Sequence, residues 1–141
     1  MSPTVTPPVD PRDFDWPPEL IEEFLAARTH GCVGSVLVSE TERVRVWHLR
    51  LAPGERIGFH THVLDYFWTV FGPGSARSYV DDGSIVEARY EAGVTTHHVY
   101  AAGEAKTHDL TNTGDTELVF ATVEFLQGAN AALDVADAHR Q

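Results

Sequence analysis

An all-β fold, a single antiparallel sandwich or barrel, is predicted for this chain by three observations. About nine short segments of strand-like composition follow one another between residues 36 and 126. Turn residues separate them at close intervals, and no helical periodicity interrupts the series. With 141 residues the chain is long enough for one domain with a sizeable core and too short for two. Hydrophobic residues at 43% and charged residues at 22% lie near globular averages, which excludes disorder over most of the length.

The chain divides into an N-terminal arm and helix (1–30), a β region (31–128) and a tail (129–141). Six of the eight prolines, Pro3, Pro7, Pro8, Pro11, Pro17 and Pro18, fall in the first eighteen residues. Proline fixes φ and removes a donor, so residues 1–16 are expected to be extended. Phe14 and Trp16 on this arm point to packing against its own barrel or a partner subunit, the alternative being a solvated terminus. Pro17, Pro18 and Glu19 open a helix, with acids near its positive end. Leu20, Ile21, Phe24 and Leu25 then recur at helical spacing, and Gly31 is expected to end the helix.

Strands are expected at 36–38, 43–49, 57–62, 65–71, 76–80, 85–90, 95–100, 106–110 and 117–126. The turns between them include Ala52-Pro53-Gly54-Glu55, Gly72-Pro73-Gly74, Asp81-Asp82-Gly83, Glu91-Ala92-Gly93, Ala102-Gly103-Glu104 and Asn112-Thr113-Gly114-Asp115. Gly128 closes the β region, and the alanine-rich end is expected to be a short helix or a frayed tail.

Twenty-one acidic against ten basic side chains give a net charge of −11, which repels phosphate backbones and anionic lipid. No nucleic-acid partner and no membrane partner are therefore expected. No apolar run is long enough to span a bilayer, and the start lacks the basic and apolar segments of a signal peptide, so a cytoplasmic location is expected. Cys32, the one cysteine, makes no internal disulfide and no thiolate metal site alone. Eight histidines are the unusual feature and point to imidazole chemistry.

The most informative segment runs from Gly54 to Tyr66 and contains His60 and His62. Residues two apart in a strand share a face, so two imidazoles stand side by side and suit one divalent ion, which needs at least a third ligand. A later segment, Gly103 to Asn112, supplies His108 four residues before Asn112. Together these resemble the cupin superfamily, whose first motif is G-x5-H-x-H-x3,4-E-x6-G and whose second is G-x5-P-x-G-x2-H-x3-N. Gly54, His60 and His62 match the first, and Gly72 matches its end when Asp65 is counted as the acidic member; in the second, Gly93 serves as the opening glycine and His108 with Asn112 reproduces H-x3-N. The run from His62 to Trp68 is also similar to small cupins of β-alanine degradation gene clusters.

The pattern departs from the family's in three places. Asp65 falls one position before the motif glutamate, and Tyr66 takes that place. Ala101 replaces the proline of the second motif, and His108 follows Gly103 by five residues rather than three.

The resemblance implies a jelly-roll barrel, with His60, His62 and His108 as ligands of a divalent transition metal and with a homodimer as the assembly. Fe(II) is favoured, with Zn, Ni, Mn and Cu as alternatives. Three-histidine cupins include iron-dependent dioxygenases, so an enzyme of that kind on a small polar organic substrate is the first expectation. The others are a cupin isomerase, epimerase or lyase, and a non-catalytic small-molecule-binding cupin. Three ring nitrogens hydrogen-bonded inside a barrel is the reading without metal.

Tyr66 is a candidate proton donor or substrate contact, and otherwise a cavity filler. Asp65 becomes a fourth ligand if its strand bulges and otherwise faces away. His97 and His98 face opposite sides, so at most one enters the cavity; His98, with Thr96 and Tyr100, is a candidate acid/base. His48 alternates with Val44 and Val46 and is expected in core or interface packing, whereas His30 and His139 are expected in solvent. Glu124 shares a face with Phe120 and Thr122 and needs a partner, either Arg45 or Arg50, unless it serves as a cavity base. Trp47, Phe67, Trp68 and Tyr79 are expected in the core or a subunit contact, and neither a phosphate loop nor a serine triad is recognisable.

Overall fold

The computed structural model describes residues 10–140, so Pro3, Pro7 and Pro8 of the expected arm lie outside the described residues. Among the described residues nine strands follow one α-helix, α1 (Pro18–Ala26). They are β1 (Val36–Glu40), β2 (Val44–Leu51), β3 (Arg56–His62), β4 (Tyr66–Val70), β5 (Gly74–Tyr79), β6 (Ile85–Tyr90), β7 (Thr95–His98), β8 (Lys106–Asn112) and β9 (Leu118–Phe125). Each falls where the strand-like composition places it. The sheets are wholly antiparallel, with orders β1-β2-β9-β4-β7 and β3-β8-β5-β6, and face each other as an all-β jelly-roll sandwich. Among the described residues no helix is long and apolar enough to cross a membrane.

Leu49, Leu51, Val70, Ala76, Leu118 and Phe120 fill one end of the space between the sheets. Asn112 closes that end with a fully used side chain. Its Nδ2 donates to the carbonyls of Leu51 (2.9 Å) and Thr116 (2.8 Å), and its Oδ1 accepts from the Gly114 N–H (2.9 Å). The motif asparagine is therefore a turn-forming residue, bonded at every position that burial would otherwise leave unsatisfied.

In β2 the inner face goes to Trp47, as expected of a core residue, and His48 is not in the core. Trp47 and Leu49 are buried and His48 is exposed on the outer face. Val44 and Val46, on the same face as His48, cover the outside of the sheet, because the larger Trp47 removes more apolar surface from water when it takes the inside.

The N-terminal segment is not a uniformly extended arm. Pro11–Asp13 form a 3-10 turn whose cap is Asp10, accepting from the Arg12 N–H at 3.0 Å. Phe14 and Trp16 leave it to pack on their own barrel with Phe24 and Phe59. Trp16 stacks on Phe59 (centroids 5.6 Å apart, planes 15° apart) and donates from Nε1 to the Gly83 carbonyl at 3.2 Å. Gly83 has φ +88°, and a Cβ there would come within 2.8 Å of the Phe14 ring, so the turn needs glycine for both reasons.

Helix α1 ends at Ala26, short of Gly31, and the neighbouring strand β3 takes carbonyls of the segment that follows it. The Thr61 hydroxyl donates to the Ala27 carbonyl (2.8 Å), and the Thr61 N–H donates to the His30 carbonyl (2.7 Å). Gly31 instead lies against residue Leu133 of the tail. That tail is neither a helix nor frayed. It runs back over β1, buries Val135 beside Cys32, Val33, Leu37 and Trp47, and ends in a 3-10 turn at Asp137–His139. Its Arg140 pairs with Leu37 as a parallel bridge and with Glu40 through Nη1 (2.9 Å).

Trp16→Ala removes a side chain that is 6% exposed and meets four other aromatic rings, those of Phe14, Phe24, Phe59 and Tyr79. The substitution is expected to lower unfolding free energy by about 3 kcal/mol in urea titration, with the far-ultraviolet β signature retained.

Candidate metal centre

The pairing of β3 with β8 builds the site. His60 stands opposite His108 and His62 opposite Lys106, so strand alternation turns His60, His62 and His108 to the same inner face. One nitrogen from each ring lies within 4.8 Å of the others. The Nε2 atoms of His62 and His108 are 3.0 Å apart. His60 and His62 are each 3% exposed.

The backs of two rings are held. His60 Nδ1 donates to the Gly58 carbonyl at 2.9 Å. The Ser78 hydroxyl donates to the Asp109 carbonyl, leaving its oxygen to accept from His108 Nδ1 at 3.4 Å. These partners assign the proton to Nδ1 and leave Nε2 as the lone-pair donor in both rings. His62 Nδ1 is buried with no partner.

Two imidazole lone pairs 3.0 Å apart repel unless a proton or a cation lies between them. Two metal–nitrogen bonds of about 2.1 Å at a right angle place their nitrogens about 3 Å apart, so the spacing fits adjacent ligands of one ion. An all-nitrogen set of three suits iron, zinc, nickel or copper.

Around the triad is a cavity of about 70 Å³, walled mainly by Val33, Leu49, Ile57, Trp68, Leu110 and Phe120. A second space of about 180 Å³ adjoins it, sharing Tyr66, Trp68, Tyr90, His108 and Leu110 and adding His98 and Lys106.

No protein-family model matches the chain, and no curated protein sequence matches it. Solved structures do. A cupin domain from Bordetella pertussis Tohama I superposes with a TM-score of 0.54 at 29% identity, over 62% of this chain and 85% of that one. A protein with a double-stranded β-helix domain from Klebsiella pneumoniae gives 0.52 at 25% identity, over 70% and 79%. A cupin-family protein from Methanocaldococcus jannaschii gives 0.50 at 18% identity, over 62% and 73%, a likeness of fold. The chain is a member of the cupin superfamily.

Burial is the first cause of the low basicity of all three histidines of this cupin. It lowers His60 to about 4, against the opposing pull of the Gly58 carbonyl. His62 and His108 are held well below the usual histidine value by burial and then by neighbouring imidazoles. All three are therefore neutral near pH 7, the state that donates to a metal.

The inward place after His62 belongs to Tyr66. Its ring stacks on His62 (4.2 Å, 13°) on one side and on His98 (4.7 Å, 12°) on the other. Burial raises the Tyr66 phenol far above its ordinary value, so it is a proton-bearing donor. His98 is lowered by burial and is a neutral acceptor. His97 packs against Phe67 on the outer face of the sheet. Asp65 does not join the triad; its Oδ1 accepts from the Tyr100 N–H at 2.8 Å. The Tyr100 hydroxyl is buried without a partner, and its ring lies 6.3 Å from that of Tyr66. Lys106 is a wall residue that sequence reading passed over, although its place two residues before His108 puts it on the same face.

Glu124 faces inward and is 3% exposed, but neither Arg45 nor Arg50 is its partner. Arg45 pairs with Glu40 (2.6 Å) and Arg50 with Glu117 (3.4 Å). The Trp47 indole N–H donates to Glu124 Oε1 at 2.7 Å instead, an interaction possible because Trp47 takes the inner face of β2.

Burial raises the Glu124 carboxyl to about 7, with Trp47 and Arg45 opposing. The unfolded chain loses this proton near the ordinary glutamate value of 4.5 and the folded chain near 7, so folding retains a proton between those values. Stability is accordingly expected to fall as pH rises through that window and to level off above it. Glu124→Gln keeps an acceptor for Trp47 and removes this dependence. Urea unfolding at pH 8 is expected to find the variant more stable by roughly 2 kcal/mol, with little gain at pH 4.5.

Proposed function

We propose that this cupin is a metal-dependent enzyme acting on a small polar organic substrate, an iron(II) dioxygenase foremost. The observation that carries the reading is the donor set: three neutral imidazoles on one inner face, in a cavity whose walls include no carboxylate among the described residues. A divalent ion held by such ligands keeps its full charge and supplies a Lewis-acidic centre with positions open to substrate heteroatoms and dioxygen.

The chain's own residues divide the remaining work. His60 and His108 are oriented from behind by Gly58 and Ser78, so their lone pairs point inward at little further entropic cost. The apolar walls keep bulk water from the centre and strengthen electrostatic contacts within it. Tyr66 donates a hydrogen bond to a substrate oxygen from its place against His62, and His98 behind it accepts a proton. Lys106, on the wall of the outer space, favours an anionic group on the entering molecule.

The stacked Tyr66 and His98, a donor and an acceptor in contact, support a second reading: a metal-assisted isomerase, epimerase or lyase that moves a proton and consumes no oxygen.

Metal analysis of purified protein followed by oxygen uptake over a panel of small carboxylic acids, thiols and diketones separates the readings. Iron with substrate-dependent oxygen consumption is the expected result. Turnover without oxygen uptake moves the assignment to the isomerase or lyase class, and absence of both metal and turnover overturns the proposal. His108→Ala is expected to lower metal occupancy at least tenfold with the fold intact by circular dichroism. Tyr66→Phe is expected to retain the metal while kcat falls about 10²-fold.

A further inference from the structure

We propose a second metal site, separate from the barrel triad, in which His30, Cys32 and His139 hold a zinc-like divalent cation and fasten the C-terminal tail to the barrel. One donor atom from each of these side chains, two nitrogens and a sulfur, lies within 4.8 Å of the others. None of the three lines the cavity around His60, His62 and His108. A mixed sulfur and nitrogen set selects borderline-soft ions, zinc above all, over calcium or magnesium.

Both segments that carry the donors are held by backbone hydrogen bonds. The His30 N–H donates to the Ala27 carbonyl (3.0 Å), and the His30 carbonyl accepts from Thr61 (2.7 Å). On the tail, the His139 N–H donates to Ala136 (3.0 Å) and the Arg140 N–H to Asp137 (3.0 Å). Arg140 then reaches Glu40 at 2.9 Å. The His30 and His139 rings meet edge to face at 5.9 Å, half-buried rather than dispersed into solvent as their terminal positions in the sequence imply. An ion therefore finds its donors already gathered and needs little ordering of the chain.

Without an ion Cys32 keeps its proton, so a metal has to displace it. Cys32 is 1% exposed, and burial raises its thiol. The Ala136 N–H, Arg45 and Arg140 act in the other direction and favour the thiolate. Burial and His139 lower His30, so its ring is neutral and carries a free lone pair. Binding replaces the thiol proton: the S–H bond breaks, a sulfur–metal bond forms and the proton leaves to solvent, with no change of oxidation state. Three protein ligands leave one tetrahedral position, which the exposed edges of the two histidines open to water.

Cobalt(II) is the probe, because cobalt bound to a thiolate absorbs in the near ultraviolet and cobalt bound only to imidazole lacks that band. Cys32 is the one cysteine of the chain, so the band reports this site and never the barrel triad. Metal-stripped, reduced full-length protein titrated with cobalt is expected to develop the band and saturate it within two equivalents, one for each site. Cys32→Ser is expected to abolish it and to leave cobalt bound by the triad. His139→Ala, at a half-buried place that tolerates truncation, is expected to raise the cobalt concentration for half-saturation at least tenfold, with circular dichroism unchanged. Absence of the band in the wild-type protein overturns the proposal, whether or not the triad takes up cobalt. So does a band that titrates identically in the His30→Ala/His139→Ala double variant. Loss of cobalt from the triad in His108→Ala, with the band retained, bears on the barrel centre alone.

Discussion

The register between β3 and β8 is the constraint on which the rest of the molecule depends. His60 faces His108 across the ladder, and a one-residue shift of either strand would turn that strand's imidazoles to the outer surface and break up the triad. Several contacts oppose such a slip. The guanidinium of Arg56 at the start of β3 grips Glu23 of α1 through two bonds of 2.8 Å and Asp109 of β8 through one of 2.7 Å. Asp109 also accepts the Tyr79 N–H, so the same carboxylate ties β8 to β5. The hydroxyls of Thr61 and Thr107 meet at 2.7 Å beneath the helix. Half of β3 is therefore buried on both faces, the inner by the barrel and the outer by α1 and the Trp16 cluster.

Burial governs the chemistry of the centre as strongly as geometry does. Imidazole costs less to bury neutral than charged, and the apolar walls around the triad, with no carboxylate among the described residues lining the cavity, hold it neutral. The same desolvation keeps Tyr66 protonated and His98 unprotonated. One physical cause thus sets the lone pairs, the donor and the acceptor.

Trp47 connects the barrel interior to the tail. It has no exposed surface, gives its N–H to Glu124 and packs with Cys32, Val33, Leu37 and Val135. The backbone passes close to it at Gly34, where a Cβ would lie 2.8 Å from Trp47 Cβ. The loop carrying His30 and Cys32 and the returning tail are consequently packed on the wall of the sheet, which is why residues far apart in the chain cluster there.

Strand order along the chain, the pair His60 and His62 on one face, and the association of His108 with them were legible from local pattern, because alternation and motif spacing are properties of neighbouring residues. The phase of β2 was not, since valines and a tryptophan compete for the inside and only the facing elements decide between them. The partner of Glu124 followed from that phase and was equally hidden. Helix α1 stops just before Ala27, whose carbonyl Thr61 takes in a contact across 34 residues. The tail returns to Cys32 across about a hundred. Local sequence determines which way a strand's side chains alternate; which face becomes the interior, and which distant donors meet there, is settled only when the sheets close and apolar surface is shared between them.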